Sequence, residues 1–340
     1  MDLAGKTILV TGGTGSFGTA FIGRMLRDHP ETIIRLFSRD ELKQSEARER
    51  FGDARVRYLI GDVRDRQRLT RAAQGANYIV HAAAMKQVPA CEYNPFEAVS
   101  TNVLGTQNIV DAAIDAHVER VVALSTDKAV NPLNLYGATK LCAEKIVVQS
   151  NAYGSYSTRM ACVRYGNVVG SRGSVAPIFR RQASEGRLTI TDDRMTRFWI
   201  TLDQAVDLVL FALENLDGGE VFIPKIPSMS VIDLAHVIGP GVPIEIVGIR
   251  SGEKLHELLL TSDESHTTFD VGDAFVVLPR HQSWPSDGRW AVRGTRVADG
   301  FSYASDTNPD WLTPDRLEEL LKTIPPDHRR VGDVVPHAET

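Results

Sequence analysis

A chain of 340 residues is long enough for one large domain or two closely joined ones, and 43% hydrophobic with 24% charged residues is the balance of a globular protein with a substantial core. The formal net charge of −5 argues against general nucleic-acid binding, which draws on a concentrated basic surface. No apolar stretch reaches the roughly 20 residues that span a bilayer, the opening Met-Asp-Leu-Ala-Gly-Lys lacks signal-peptide regions, and Cys91, Cys142 and Cys162 are too scattered for a disulfide framework or metal motif. A cytoplasmic protein with no membrane, nucleic-acid or metal partner is expected.

Thr7 to Val10 is a β-branched run leading into Thr11-Gly-Gly-Thr-Gly-Ser-Phe-Gly18 and an apolar-periodic segment from Ala20 to Leu26. Gly12, Gly15 and Gly18 lie three apart. That spacing tightens a strand-to-helix turn, lets backbone approach a pyrophosphate and presents a helix N-terminus to it. The turn residues Gly12, Thr14, Gly15, Ser16, Phe17 and Gly18 are therefore cofactor-binding candidates. A second strand, Ile33 to Phe37, ends in Ser38-Arg39-Asp40-Glu41-Leu42-Lys43, where an adenosine ribose is expected. Ser38, Arg39 and Lys43 suit a 2′-phosphate and point to NADP, whereas Asp40 and Glu41 suit either a free 2′-hydroxyl or a solvated helix start.

Val56 to Ile60 reads as a third strand, with Asp62 and Val63 bracketing the adenine and Asp62 accepting from its exocyclic amine. Tyr78 to His81 is a fourth, followed by Ala82 and Ala83, small enough for close approach to a cofactor. His81 reads as a packed core histidine. Phe96 to Ala116 has the pattern of one long helix, in which Asn102 is given a structural role. Val121 to Leu124 is the fifth strand, and Cys162 to Tyr165 closes the sheet. Repeated βα alternation implies a parallel sheet wrapped by helices, with ligands at the carboxyl ends of its strands.

Between these last strands lies Leu-Ser-Thr-Asp-Lys-Ala-Val-Asn-Pro-Leu-Asn-Leu-Tyr-Gly-Ala-Thr-Lys, residues 124–140. Tyr136 and Lys140, four apart, share one helix face and meet the same ligand. Asp127 and Lys128 place a carboxyl and an amine side by side at the strand exit, and these four are the candidate catalytic residues. In isolation two adjacent charges form a surface ion pair; Tyr136 nine positions on, beyond a Pro/Asn turn, favours catalysis. Beyond residue 166 the βα rhythm weakens. Gly166 to Ser174 is a long polar turn suited to a second ligand, and 191–200 and 248–257 are arginine-bearing segments suited to phosphate or carboxylate.

Several motifs together resemble the extended short-chain dehydrogenase/reductases, and within them the soluble inverting UDP-N-acetylglucosamine 4,6-dehydratases: Met85-Lys-Gln-Val-Pro-Ala-Cys-Glu-Tyr-Asn-Pro95, Ser125-Thr-Asp-Lys128, Arg164-Tyr-Gly-Asn-Val-Val-Gly-Ser-Arg-Gly173, Met195-Thr-Arg-Phe-Trp-Ile-Thr201 and Gly252-Glu-Lys-Leu-His-Glu257. The match runs to about Leu321, with Ser251 in place of a usual proline and Gln87 of a common histidine. The resemblance implies an α/β fold with a Rossmann-like doubly wound parallel sheet over 1–165, to which part of 196–225 returns. A smaller C-terminal α/β substrate-binding domain over 166–325 and a mobile tail over 326–340 complete the expected chain, and a homo-oligomer is expected.

By resemblance, Lys86, Thr126, Asn167, Arg172, Gly173, Ser174, Val175, Arg197, Arg250 and Glu253 bind a UDP-sugar. Tyr136, its pKa lowered by Lys140, would remove the sugar 4-hydroxyl proton as C4 gives a hydride to NADP⁺. Lys128, kept partly neutral by desolvation and the Lys140 charge, would then take the C5 proton, while a protonated Asp127 donates to the departing 6-hydroxyl. Tyr136 favours the inverting branch. Two alternatives stay open: a nucleotide-sugar epimerase or other dehydratase, and a non-catalytic NADP-sensing protein.

Overall fold

The computed structural model describes residues 3–153, 157–171, 174–280, 284 and 288–322. The expected tail and the two candidates Arg172 and Gly173 lie outside the described residues. The first half alternates β1 (Thr7–Thr11), α1 (Ser16–Asp28), β2 (Ile33–Ser38), α2 (Glu41–Phe51), β3 (Val56–Ile60), α3 (Arg66–Ala73) and β4 (Tyr78–His81). Next come α4 (Val88–Tyr93), α5 (Pro95–Val99), α6 (Gly105–Asp115), β5 (Arg120–Thr126), α7 (Leu135–Gln149) and β6 (Arg159–Tyr165).

Burial explains these elements. All five residues of β1 are buried, an apolar Ile-Leu-Val centre between two threonines, as in a central parallel strand covered on both faces. Helix α1 buries Phe17, Phe21, Ile22 and Met25, a stripe at helical spacing that lies on the sheet. Asp40 caps α2, accepting from the Lys43 amide, and Gly52 ends that helix in the left-handed region at φ 56°. Asn134 caps α7 in the same way, accepting from the Gly137 amide at 2.8 Å.

Strands pair in parallel in the order β3-β2-β1-β4-β5-β6, so the direction of winding reverses between β1 and β4. A crevice opens at such a switch point, outside the carboxyl ends of both strands. The sheet does not close at β6 as the sequence suggested. Val221–Pro224 adds a seventh parallel strand, and Ala274–Val277, Thr268–Asp270 and Thr295–Arg296 continue it antiparallel to ten strands. These additions are short and separated by irregular chain, and so escape a βα rhythm.

The expected helix over 96–116 also proves composite. Between α5 and α6, residues Ser100–Leu104 form a π-turn, an inserted residue that re-aims Asn102. A second, smaller core gathers Phe179, Leu188, Met195, Trp199, Met229, Leu234, Leu312 and Leu317 beyond the main sheet. No helix among the described residues is long and apolar enough to cross a membrane.

Candidate active site

The switch point holds a cleft of about 590 Å³, within the roughly 300–1,000 Å³ typical of small-molecule sites. Its first half is the glycine turn. Gly12 has φ 68°, and a Cβ there would lie 2.8 Å from the Ala83 amide nitrogen, so only glycine lets the turn and the end of β4 approach so closely. No side chain caps α1, whose N-terminus faces the cleft with Gly12, Thr14, Gly15, Ser16, Phe17 and Gly18. Such a bare helix start offers amides and a positive dipole end to a pyrophosphate, so the residues present fit a dinucleotide.

Ser38, Arg39, Lys43, Asp62, Val63, Ala82 and Ala83 line the same cleft. Asp40 is committed to capping α2 and to the Lys43 ammonium at 3.0 Å, which leaves Arg39 and Lys43 to set the local charge. Asp62 differs from expectation. Its two oxygens hold the Arg64 amide and guanidinium at 2.7–3.0 Å, with Arg39 at 3.7 Å, so its carboxylate serves the loop before it serves an adenine.

His81 is the core histidine the sequence suggested. It bonds Thr11 Oγ1 at 2.8 Å and Thr106 Oγ1 at 3.1 Å, and burial pushes its pKa down to about 3, so it stays neutral. Asn102 is structural too, clamping both backbone groups of Met85 and Thr139 Oγ1. This clamp ties the segment after β4 to α7.

The candidate catalytic residues Lys128, Tyr136 and Lys140 line the same cleft. One face of α7 buries Tyr136, Lys140 and Glu144 at successive four-residue steps, a polar stripe turned toward the sheet. Gly137 permits this docking, because a Cβ on it would stand 2.1 Å from the Lys128 carbonyl oxygen. Lys140 Nζ donates to the Leu124 carbonyl at 2.6 Å, and desolvation lowers its pKa. Burial raises Tyr136 to about 12, and the cation that pulls it down is Lys128, not Lys140 as the sequence suggested.

Lys128 is also corrected. Its ammonium meets Asp127 Oδ1 at 3.1 Å, Asn167 Oδ1 at 3.2 Å and Glu257 Oε1 at 3.3 Å. Desolvation works against the charge, but the two carboxylates outweigh it and hold Lys128 well above the usual lysine range; Lys140 plays no part. Asp127 is fully buried, absent from the cleft lining, and pushed up by desolvation and by Glu257. Its Oδ1 accepts from Thr126 Oγ1 at 2.8 Å while Oδ2 has no partner, so this carboxyl competes with Lys128 for the proton the two share. Of this pair only Lys128 faces the cleft.

Lys86, Thr126, Asn167, Ser174 and Val175 line the cleft beside Lys128, Tyr136 and Lys140. Arg197, Arg250 and Glu253 do not. Arg197 lies behind Lys128, bonded to the carbonyls of Thr196, Lys254 and Leu255 and 3.8 Å from Glu257. Arg250 is exposed and 3.9 Å from Glu253. Sequence reading missed Glu257 and Lys254 as functional residues, although both lie in a quoted motif. Nothing in their spacing reveals that the 252–257 segment folds onto the 127–130 turn, where Lys254 Nζ reaches the Asp127 and Val130 carbonyls.

The family model described as "Polysaccharide biosynthesis protein" matches residues 8–279. The chain belongs to that family. A relative from Campylobacter jejuni subsp. jejuni, "UDP-N-acetylglucosamine 4,6-dehydratase (inverting)", is 48% identical over 93% of this chain and 97% of its own. A "UDP-glucose 4-epimerase" of Rickettsia rickettsii is 40% identical over 94% and 96%. Among solved structures, Pen from Bacillus thuringiensis superposes with a TM-score of 0.86 at 40% identity, covering 95% of this chain and 98% of that one. The fold is that of the extended short-chain dehydrogenase/reductases, the resemblance the motifs implied.

Proposed function

We propose that this protein is a C5-inverting UDP-N-acetylglucosamine 4,6-dehydratase, an NADP-dependent lyase giving UDP-2-acetamido-2,6-dideoxy-L-arabino-hex-4-ulose. The observation that carries the reading is the Asp127–Lys128 pair, sealed on one side and open to the cleft beside Tyr136 on the other. An epimerase needs only the tyrosine. Loss of water across C5 and C6 needs a base for carbon acid and a proton for the leaving hydroxyl, and this pair supplies both. Identity of 48% to the Campylobacter protein of that name supports the same reading.

Bound in this cleft, NADP supplies the acceptor for the C4 hydride and its later donor to C6. Tyr136, its own proton already released, takes the 4-hydroxyl proton as a phenolate, which the nearby Lys128 cation stabilises until then. The one-proton state of the pair has two tautomers, Lys128 ammonium with Asp127 carboxylate or Lys128 amine with Asp127 acid. They interconvert along the 3.1 Å hydrogen bond without exchanging a proton with solvent. In the second tautomer Lys128 accepts the C5 proton. Asp127, which lacks direct access, passes its proton through the Thr126 hydroxyl to the departing oxygen. The pair is left as its ion-pair tautomer and resets internally, while C5 takes a proton from solvent on the opposite face as the hydride returns to C6, and Tyr136 releases to solvent the proton it took.

Arg39 and Lys43, with Asp40 occupied as a helix cap, support NADP over NAD. Lys86, Asn167, Ser174 and Val175 are assigned to the UDP-sugar, with Arg172, Gly173, Arg197, Arg250 and Glu253 completing the set that resemblance implies. Exposed Tyr93, Phe96 and Leu133 support a homo-oligomer, and the resemblance supports a cytoplasmic place at the start of pseudaminic acid synthesis. Incubation with UDP-N-acetylglucosamine in deuterated water, followed by NMR, tests the reading. A C6 methyl group, deuterium at C5 and L-arabino ring couplings are expected; an intact hydroxymethyl group sinks it and leaves the epimerase reading favoured by the Rickettsia relative.

A further inference from the structure

Behind the Asp127–Lys128 pair lies a charge cluster supplied by a distant part of the chain. Glu257, 2% exposed, enters the strand Leu258–Leu260 with its amide donated to Ser305 Oγ at 2.9 Å. Its Oε1 is 3.3 Å from Lys128 Nζ and 3.8 Å from Arg197 Nε, and its Oε2 is 3.7 Å from Lys254 Nζ. Oε2 makes no hydrogen bond, so charge more than hydrogen bonding holds this carboxylate.

We infer that Glu257, backed by Arg197 and Lys254, is a positioning residue that sets the pH window in which the Asp127–Lys128 pair holds its single working proton. The inference rests on the dehydratase reading. Glu257 does not line the cleft; it acts through the charge of Lys128, whose ammonium donates to Asp127 and Asn167 and lies 3.3 Å from Glu257 Oε1.

Charge counting gives the direction. The titratable and charged groups facing the pair are Arg197 from the strand Thr196–Ile200, Lys254 and Glu257 from the 252–257 segment, and Tyr136 from α7, whose Lys140 is turned onto the Leu124 carbonyl. Cys91 of α4 reaches only Tyr136, and His256 is turned away onto Thr196 Oγ1 at 2.9 Å. In the immediate cluster three cations, Lys128, Arg197 and Lys254, surround two carboxylates, Asp127 and Glu257. Deleting the Glu257 charge leaves one carboxylate among three cations, so every neighbour releases its proton more readily. Burial first and Glu257 second raise Asp127, while Asp127 first and Glu257 second raise Lys128 against desolvation; both fall together. Lys254 acts in the opposite sense.

The test is the pH dependence of kcat and kcat/KM for UDP-N-acetylglucosamine dehydration by wild type, Glu257→Gln, Glu257→Asp and Lys254→Met. The Glu257→Gln variant keeps shape and a hydrogen-bond acceptor, and both limbs of its profile are expected to move to lower pH by about one unit, the shift typical of one close charge. Glu257→Asp restores the wild-type limbs, and Lys254→Met moves them to higher pH. Limbs that stay in place while kcat falls, or move the same way in the Gln and Met variants, overturn the inference. If Glu257→Gln does not fold, the sign of the Lys254→Met shift alone decides. A wild-type enzyme that releases no water refutes the dehydratase reading itself, an outcome distinct from unshifted limbs in an active enzyme.

Discussion

Arg39 is the side chain on which the proposed preference for NADP turns. It is exposed, 3.7 Å from an Asp62 already held by Arg64, and Asp40, the acid after β2 that lines the cleft, is spent capping α2. A phosphate on the ribose competes well for such a guanidinium, because charge-assisted bonds to phosphate are roughly twice as strong as neutral ones. Arg39→Ala is therefore expected to lower the NADP-over-NAD affinity ratio about tenfold or more, one decade per about 1.4 kcal/mol, while NAD binding is held. Titration of both cofactors by fluorescence checks this, and an unchanged ratio removes Arg39 from the 2′-phosphate site. The Asp127–Lys128 pair was visible in sequence as two adjacent charges, but its electrostatics were not. Lys140 was assigned the tuning role on proximity in sequence. In the structure Lys128 is the cation that lowers Tyr136, while Asp127 first and Glu257 second hold Lys128 charged against desolvation, and only the folded 252–257 segment brings Glu257 to 3.3 Å.

Helix α7 and the Asp127–Ala129 turn form the working element, joined at Gly137. Gly137→Ala places a methyl 2.1 Å from the Lys128 carbonyl oxygen, where backbone must move. Overpacking of this kind destabilises by about 1–3 kcal/mol, and displacement of Tyr136 from Lys128 adds a loss of kcat larger than the loss of stability explains. Thermal melting and steady-state rates measured together check it; wild-type values in both mean the junction is not tight. The other end of α7 is tied down by Arg164, 2% exposed, between Glu144 and Glu264. Replacing Arg164 with leucine strands the buried Glu144 and the half-buried Glu264, and breaking a buried pair costs about 3–5 kcal/mol. A Tm within a degree or two of wild type contradicts that account. These elements were legible where periodicity is strong, in α1 and β1 to β6. The π-turn at Ser100–Leu104 was not, because one inserted residue leaves helical spacing on either side intact.

The molecule as a whole is one ten-stranded sheet whose switch point meets a smaller lobe across the cleft. His81 sits under that junction, neutral and bonded to Thr11 and Thr106. Its folded pKa, about 3, lies below the ordinary 6.5. A depressed value means the folded state refuses a proton the unfolded chain accepts, so the associated stability is present above pH 6.5 and is lost as pH falls toward 3. Between pH 6.5 and about 5, where most carboxylates stay ionised, wild-type stability is expected to fall by up to about 1.4 kcal/mol per pH unit. His81→Gln, less stable at neutral pH, lacks that slope; equal slopes in denaturant melts across this range refute the assignment. The late strands that complete the sheet were hidden in the sequence by their brevity, three residues in Thr268–Asp270 and two in Thr295–Arg296. The smaller lobe was visible only as the place where the βα rhythm stopped.

Everything proposed for the cleft turns on Lys128 as the base that makes an elimination out of an oxidation. The most direct measurement is the mass of the sugar nucleotide recovered after Lys128→Ala and wild type are each incubated with UDP-N-acetylglucosamine and NADP. Wild type is expected to return a product lighter by one water, and the variant, still binding NADP, to return the substrate mass unchanged. Water loss by Lys128→Ala at the wild-type rate contradicts the account.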